Sequence, residues 1–309
     1  MVASTFAHEA LVYGSDEDYL AALTPFLSGA VCAEEAAIVA VTAYNIDLLR
    51  DSLGGAAAQV TFIDRDVWYQ RPAATIAGWT ALVADAQARG HRAVRVVGEV
   101  AFGTGERYDT WTRYESAVND VLASAPARIV CPYDARTLPE SVIGGALRTH
   151  PVMVAGARRP SPLYQDPHQF LPARPEPLPP VPDVPLATVP LAEPDDLRRT
   201  RQAVARTARA FGWDESRIDE MLVVVSEIAV NSVVHGRDDR RVHLWADDRT
   251  LTCEVLDHGD GLADPLVPYR PPAGDPTGSR GLWLANQLSD WLAVDHRDGI
   301  TRARFRFDR

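Results

Sequence analysis

Thirteen of the chain's 23 prolines fall between Pro151 and Pro194. A proline donates no backbone N–H and biases the residue before it away from the helix. This stretch therefore suits neither a central strand nor a long helix. It divides 309 residues into two parts, each large enough for a core of its own. Segment 156–190 reads as a semi-extended, proline-rich linker between domains at 6–155 and 191–309. A histidine kinase would need a long helical hairpin carrying a phosphoacceptor histidine at this point. His168, in Asp166-Pro167-His168-Gln169, has no heptad pattern around it and reads as a solvated linker residue.

The first part alternates short apolar runs with amphipathic stretches. Strands are expected at Ala10–Tyr13, Ala36–Val41, Val60–Ile63, Val94–Val100 and Arg128–Cys131, with helices between them and a last helix over Pro139–Leu147. Strands that are apolar throughout and alternate with helices imply a parallel sheet covered on both faces. Such sheets bind ligands at the carboxyl ends of their strands, which nominates Tyr13, Ser15, Thr42, Tyr44, Asp64, Glu99, Tyr133 and Asp134. Polar residues at those positions also serve as caps and turns. No G-x-x-x-x-G-K-[ST] phosphate loop is present.

The second part is organised around an apolar helical run that begins near Ile218 and ends in Ser226-Glu227-Ile228-Ala229-Val230-Asn231-Ser232-Val233-Val234-His235-Gly236. Glu227, Asn231 and His235 recur every fourth residue and share one helix face. Met221, Leu222, Val224, Val225, Ile228 and Val233 supply the apolar faces. A carboxylate and a carboxamide in so apolar a helix need partners, and such an oxygen pair suits Mg²⁺. A strand over Leu251–Leu256 then runs into Asp257-His258-Gly259-Asp260-Gly261, an acid followed by glycines where backbone can approach a ligand. After the proline-rich stretch Leu262–Thr277, Gly278-Ser279-Arg280-Gly281 turns into a helix over Leu282–Leu288, the form of an anion site. Each short pattern is weak alone; in this order they reinforce one another.

The net charge of −11 argues against a nucleic-acid partner. Cys32, Cys131 and Cys253 show no C-x-x-C spacing, so neither a disulfide framework nor a zinc site is read from them. Residues 1–10 lack the basic start and apolar stretch of a signal peptide, and no apolar run approaches the roughly 18 residues a membrane helix needs. A cytoplasmic protein is expected, with no membrane partner.

Residues 191–309 resemble the GHKL (Bergerat-fold) ATPase superfamily, and within it the bacterial anti-sigma factors that are serine/threonine protein kinases. Glu227 and Asn231 match its N-box, Asp257, Gly259 and Gly261 its first glycine box, and Gly278 and Gly281 its second. The resemblance implies a Bergerat-fold α/β sandwich that binds ATP with Mg²⁺. Asn231 would ligate the metal, and Asp257 would accept a hydrogen bond from the adenine amino group. Gly259 and Gly261 would let the nucleotide approach the backbone, Gly278, Arg280 and Gly281 would face the phosphates, and Glu227 would be the general base. Stretch 262–277 corresponds to the ATP lid. The implied partners are a sigma factor and an anti-sigma-factor antagonist, and these kinases are commonly dimers.

Those kinases usually read Gly-Arg-Gly-Leu where this chain reads Ser279-Arg280-Gly281-Leu282. A second reading therefore stays open, a partner-binding switch that transfers no phosphate.

Residues 6–155 resemble the MEDS sensory domain, through His8 to Glu17, Gly98-Glu99, Cys131-Pro132-Tyr133-Asp134 and Arg148-Thr149-His150-Pro151. That resemblance implies a RecA-like parallel-sheet α/β sensor for a small organic molecule.

Overall fold

In the computed structural model, which describes residues 6–103, 107–193, 195–272 and 279–309, the chain divides into two compact units, Met1–Leu171 and Pro172–Arg309. The apolar runs of the first unit become strands because their helices cover them. Its elements are β1 (Ala7–Tyr13), α1 (Asp16–Cys32), β2 (Ala36–Val41), α2 (Ala43–Leu53), β3 (Val60–Asp64), α3 (Arg65–Trp68), α4 (Pro72–Ala88) and β4 (Val94–Gly98). Then come α5 (Tyr108–Val121), β5 (Ala127–Asp134), α6 (Glu140–Thr149), β6 (Val152–Ala155), β7 (Ala157–Pro160) and α7 (Pro167–Ala173). They form a seven-stranded sheet ordered β3-β2-β4-β5-β1-β6-β7. All neighbours are parallel except the edge strand β7, which runs antiparallel to β6.

Side chains alternate across this sheet. Leu11 and Tyr13 of β1, with Val130 of β5, pack against Tyr19, Leu23 and Leu27 of α1 and Leu49 of α2. The residues between them, His8 and Ala10 of β1 and Cys131 and Tyr133 of β5, therefore point to the opposite face. There Trp79 of α4 donates Nε1–H to Tyr114 OH of α5 at 2.9 Å, with both rings buried.

The second unit holds β8 (Ala187–Pro190), α8 (Asp196–Ala210), α9 (Glu215–His235), β9 (Arg241–Ala246), β10 (Thr250–Asp257), α10 (Ser279–Leu288), β11 (Trp291–Arg297) and β12 (Ile300–Asp308). Its sheet, β11-β12-β10-β9-β8, is antiparallel throughout. Leu244, Leu251, Cys253, Val255, Phe305 and Phe307 meet the apolar stripe Ile218, Met221, Val225 and Ile228 of α9 to form the core. Burial of each such large side chain stabilises by about 1.5–3 kcal/mol. The β11–β12 hairpin turns at Asp298 and Gly299, both at positive φ (54° and 72°), as a two-residue turn requires.

Segment 156–190, expected to be a linker without helix, is structured at both ends. Asp166 Oδ1 accepts from His168 N at 2.9 Å, Pro167 occupies the tolerated first turn, and Phe170 and Leu171 bury themselves. This makes α7 a short helix, and His168 lies 3.7 Å from Asp120. Residues 176–186 stay extended and lie across the face of the antiparallel sheet that its helices leave bare. Their carbonyls and one carboxylate accept what the sheet offers. Trp245 Nε1 donates to Pro182 O at 2.9 Å, Trp291 Nε1 to Glu176 Oε1 at 3.1 Å, and Arg304 to Pro179 O. Prolines suit this strap, which needs acceptors and no donors. Beneath it Arg304 Nε bonds Glu254 Oε2 at 2.7 Å, and both residues are buried. Among the described residues no helix is long and apolar enough to cross a membrane.

Candidate functional site

Between α9 and the antiparallel sheet lies a pocket of about 360 Å³. Asn231, Ser232 and His235 line it from the last turns of α9, Asp257 and the Gly259–Asp264 turn from the end of β10, and Thr301 from β12. Apolar side chains, among them Ile228, Val255, Leu282 and Val294, make up most of the remaining wall. Asp257 is buried, and its Oδ1 accepts from Gly259 N at 2.7 Å. Its Oδ2 has no protein partner among the described residues and is left for a donor in the pocket. Ser232 Oγ is likewise buried without a hydrogen bond. Thr301 Oγ1 donates to Gly259 O at 3.2 Å and ties the turn to β12.

The glycines are bare because space demands it. A Cβ at Gly236 would stand 2.4 Å from Ser232 O and 2.6 Å from Asp257 Cγ, and one at Gly259 would stand 2.8 Å from Asp257 Oδ1. Gly261 adopts φ +74°, where a side chain would also strike His296. At Gly281 a Cβ would lie 2.6 Å from Glu227 Oε2 and 3.3 Å from Asn231 Nδ2. Helix α10 thus seats its first turn directly on the Glu227–Asn231 face of α9. The helix starts at Ser279, so Arg280 and Gly281 belong to its first turn rather than to a preceding loop, and Arg280 is exposed. Gly278 and the 273–277 part of the expected lid lie outside the described residues. The start of that stretch is packed: Leu266 is fully buried, and Asn286 Nδ2 donates to Pro268 O at 3.0 Å. Val233, read as part of the apolar faces of α9, is 40% exposed, as are Val230 and Val234 beside it at 41% and 65%.

A second pocket, of about 300 Å³, opens at the carboxyl ends of the parallel strands. It gathers five of the eight residues nominated there: Tyr13, Thr42, Tyr44, Glu99 and Asp134, joined by Asn45 and Arg65. The other three have different work. Ser15 caps α1, Asp64 caps α3, and Tyr133 points through the sheet to its far face. Glu99 is saturated: Oε1 accepts from Arg65 Nη1 at 2.6 Å, and Oε2 from Asn45 Nδ2 at 2.8 Å and Thr42 N at 3.3 Å. Burial, with Glu99 and Asp134 nearby, pushes the Tyr13 hydroxyl up to about 12, so it is a hydrogen-bond donor at neutral pH. The bidentate Arg136 holds the Asp134 carboxyl below its ordinary value. Asn45 and Arg65 escape the sequence reading because they belong to the first turns of α2 and α3, just past the strand-end residues that the rule singles out.

Comparison with known families decides the class of each unit. Residues 7–151 match the MEDS family, described as the methanogen/methylotroph, DcmR sensory domain, and residues 191–307 match the histidine kinase-like ATPase domain. The chain joins a MEDS domain to a histidine kinase-like ATPase domain. No curated protein matches it. Among solved structures, the RsbU and RsbW domains of Rv1364c from Mycobacterium tuberculosis share 22% identity over 41% of this chain and 33% of that one, with a TM-score of 0.31. The chain spans about a third of that structure's length. The 360 Å³ pocket belongs to the ATPase domain and the 300 Å³ pocket to the MEDS domain.

Proposed function

We propose that the ATPase domain is an ATP-dependent serine/threonine protein kinase of the anti-sigma type, regulated by the MEDS domain. What supports this reading is one convergence: Asn231, Asp257, Gly259 and Gly261 line a single pocket, with Glu227 one helical turn away beneath Gly281. The pocket fits a nucleotide. Its apolar walls suit a planar base, the free Oδ2 of Asp257 suits the adenine amino group, and the bare glycines admit backbone contact. The oxygens of Asn231 and Glu227 fit Mg²⁺, which would be held through Asn231 and would neutralise phosphate charge.

Glu227 would take the proton of a serine hydroxyl on a partner protein as that oxygen bonds to the γ-phosphorus and the bond to ADP breaks. Such transfer depends on positioning and charge neutralisation. The partner would be a small anti-sigma-factor antagonist, and a sigma factor would be the second protein bound. Helix α8 offers a face for such contacts. Of its arginines, Arg198, Arg199, Arg201 and Arg209 are engaged within the chain. Arg206 is exposed and has no partner among the described residues. The reading carries with it a cytoplasmic location, a homodimer, and a small organic ligand in the MEDS pocket.

The seating of Gly281 against Glu227 favours a second reading, in which α10 keeps the carboxylate covered and the domain switches partners without transferring phosphate. Calorimetry of Mg²⁺-dependent ATP binding by the whole chain, beside Asn231→Ala, is the first test. Binding lost in the variant supports the nucleotide site, and no binding at millimolar ATP sinks the kinase reading and leaves a nucleotide-free partner-binding switch. Glu227→Gln then separates them. A kinase loses transfer and keeps ATP, whereas a switch shows no transfer even before the substitution.

A further inference from the structure

Beneath the parallel sheet, on the side away from the MEDS pocket, four buried side chains from four different elements converge. They are His8 of β1, Glu115 of α5, Cys131 of β5 and His150 just after α6, exposed by 2%, 1%, 4% and 0%. Glu115 Oε2 stands 3.1 Å from His8 Nε2 and 3.4 Å from His150 Nε2. Cys131 Sγ stands 3.4 Å from His8 Nε2 and 3.7 Å from Glu115 Oε2. All four donor atoms lie within 4.8 Å of one another.

The surroundings fix which ring nitrogens carry protons. Asn119 Nδ2 faces three backbone carbonyls, those of Glu115, Ser116 and Thr149, at 3.1, 3.2 and 2.7 Å. Its Oδ1 is therefore the atom 3.1 Å from His8 Nδ1, which must donate. His150 Nδ1 lies 3.1 Å from Ala146 O, a carbonyl that can only accept. Each ring thus uses Nδ1 for its outer partner and turns Nε2 toward the same carboxylate oxygen. His150 Nε2 makes no hydrogen bond at all, though it is fully buried. Protonating both rings instead would place two buried cations with centroids 4.0 Å apart.

We propose that the MEDS domain holds one zinc-class transition-metal ion, ligated by His8 Nε2, Glu115, Cys131 Sγ and His150 Nε2. An ion at the centre turns every crowded lone pair into a ligand bond. Metal–nitrogen and metal–oxygen bonds of about 2.0–2.2 Å, with a metal–sulfur bond of about 2.3 Å, give tetrahedron edges of roughly 3.3–3.7 Å. The four separations given above, 3.1 to 3.7 Å, already span that size. Loss of the thiol proton to solvent on binding leaves a dication, a thiolate, a carboxylate and two neutral imidazoles, with no net charge to bury. Thiolate with imidazole selects zinc-like ions over Mg²⁺ or Ca²⁺, which prefer all-oxygen sites. The Nδ1–H donations to Asn119 and Ala146 are the second-layer bonds that orient metal-ligating histidines. With four protein ligands the site is closed, so the ion pins β1, β5, α5 and the end of α6 together.

The test uses the whole purified chain. Elemental analysis should find one zinc-class ion per chain. After chelation, Co²⁺ added back should give the intense visible bands of a tetrahedral site with a thiolate-to-cobalt charge-transfer band. Cys131→Ser should abolish that band, while Cys32→Ser and Cys253→Ser keep it. Asn119→Ala should keep it and weaken the metal by about 10–100-fold. A folded wild-type chain that carries no metal and gives no tetrahedral cobalt spectrum overturns the proposal. So does a bound metal without the thiolate band. Both readouts come from the unaltered chain, so they decide the matter even where a variant fails to fold.

Discussion

Each domain sets a glutamate against an arginine beside its sheet, with opposite consequences. In the MEDS domain Glu99 meets Arg65 at the open ends of the strands, where the Arg65 side chain is 27% exposed and other donors share the carboxylate. In the ATPase domain Glu254 and Arg304 pair in the middle of a sheet face, roofed by the strap, with side chains 7% and 10% exposed. The first pair borders the pocket, and its carboxylate keeps the Asn45 and Thr42 donors if Arg65 moves. The second has nowhere to turn. Polar groups of the same chemistry thus line a pocket in one domain and rivet a covered sheet face in the other.

The sharpest way to break that contrast is to remove one acid from each pair. Glu254→Ala strands a buried guanidinium and should destabilise the ATPase domain by about 3–5 kcal/mol. Glu99→Ala leaves Arg65 within reach of water and should cost clearly less. Urea denaturation of both variants measures the difference, and equal losses would refute the distinction. Next in size, Asp257→Asn removes the charged acceptor in the ATPase pocket and should weaken ATP by about 2–3 kcal/mol, roughly 30–150-fold, in calorimetry. Gly261→Ala forces a side chain to positive φ against His296 and should cost about 1–2 kcal/mol of stability, read as a lower melting midpoint.

The smallest effect concerns pH. The fold holds the Asp134 carboxyl below its ordinary value through Arg136. Its contribution is therefore complete above the ordinary carboxylate range and is lost as pH falls through the lowered native value. Because Arg136 is 44% exposed, that contribution should be under about 1 kcal/mol. Asp134→Asn should flatten the acid limb of a stability–pH curve by that much and leave the neutral limb parallel to wild type.

The ATPase pocket is legible in the sequence because its parts are local. Glu227 and Asn231 share a helix face within five residues, and Asp257 to Gly261 share one turn, so spacing alone exposes them. The parallel sheet is legible for a similar reason: a run such as Ala36–Val41 needs both faces covered. What stays hidden is assembled across the chain. His8 and Cys131 are 123 residues apart and meet only because β1 and β5 are neighbours in the sheet. Cysteine spacing, which argues against a metal, cannot register ligands brought together by strand order. Helix α7 is hidden by its own prolines, since the proline count outweighs the Asp166 cap and the apolar pair Phe170–Leu171. The extended form of the strap across the antiparallel sheet follows from its prolines, but nothing in its composition says what it covers.

That strap also sets the place where the two domains can be recombined. Sequence resemblance to the ATPase family begins at Leu191, which invites a cut there when a different sensor is grafted upstream. Such a cut would remove β8 from the sheet edge and lift the cover from Trp245, Trp291 and the Glu254–Arg304 pair. A portable ATPase module must instead begin near Pro172, carrying some twenty residues that look like a disposable spacer.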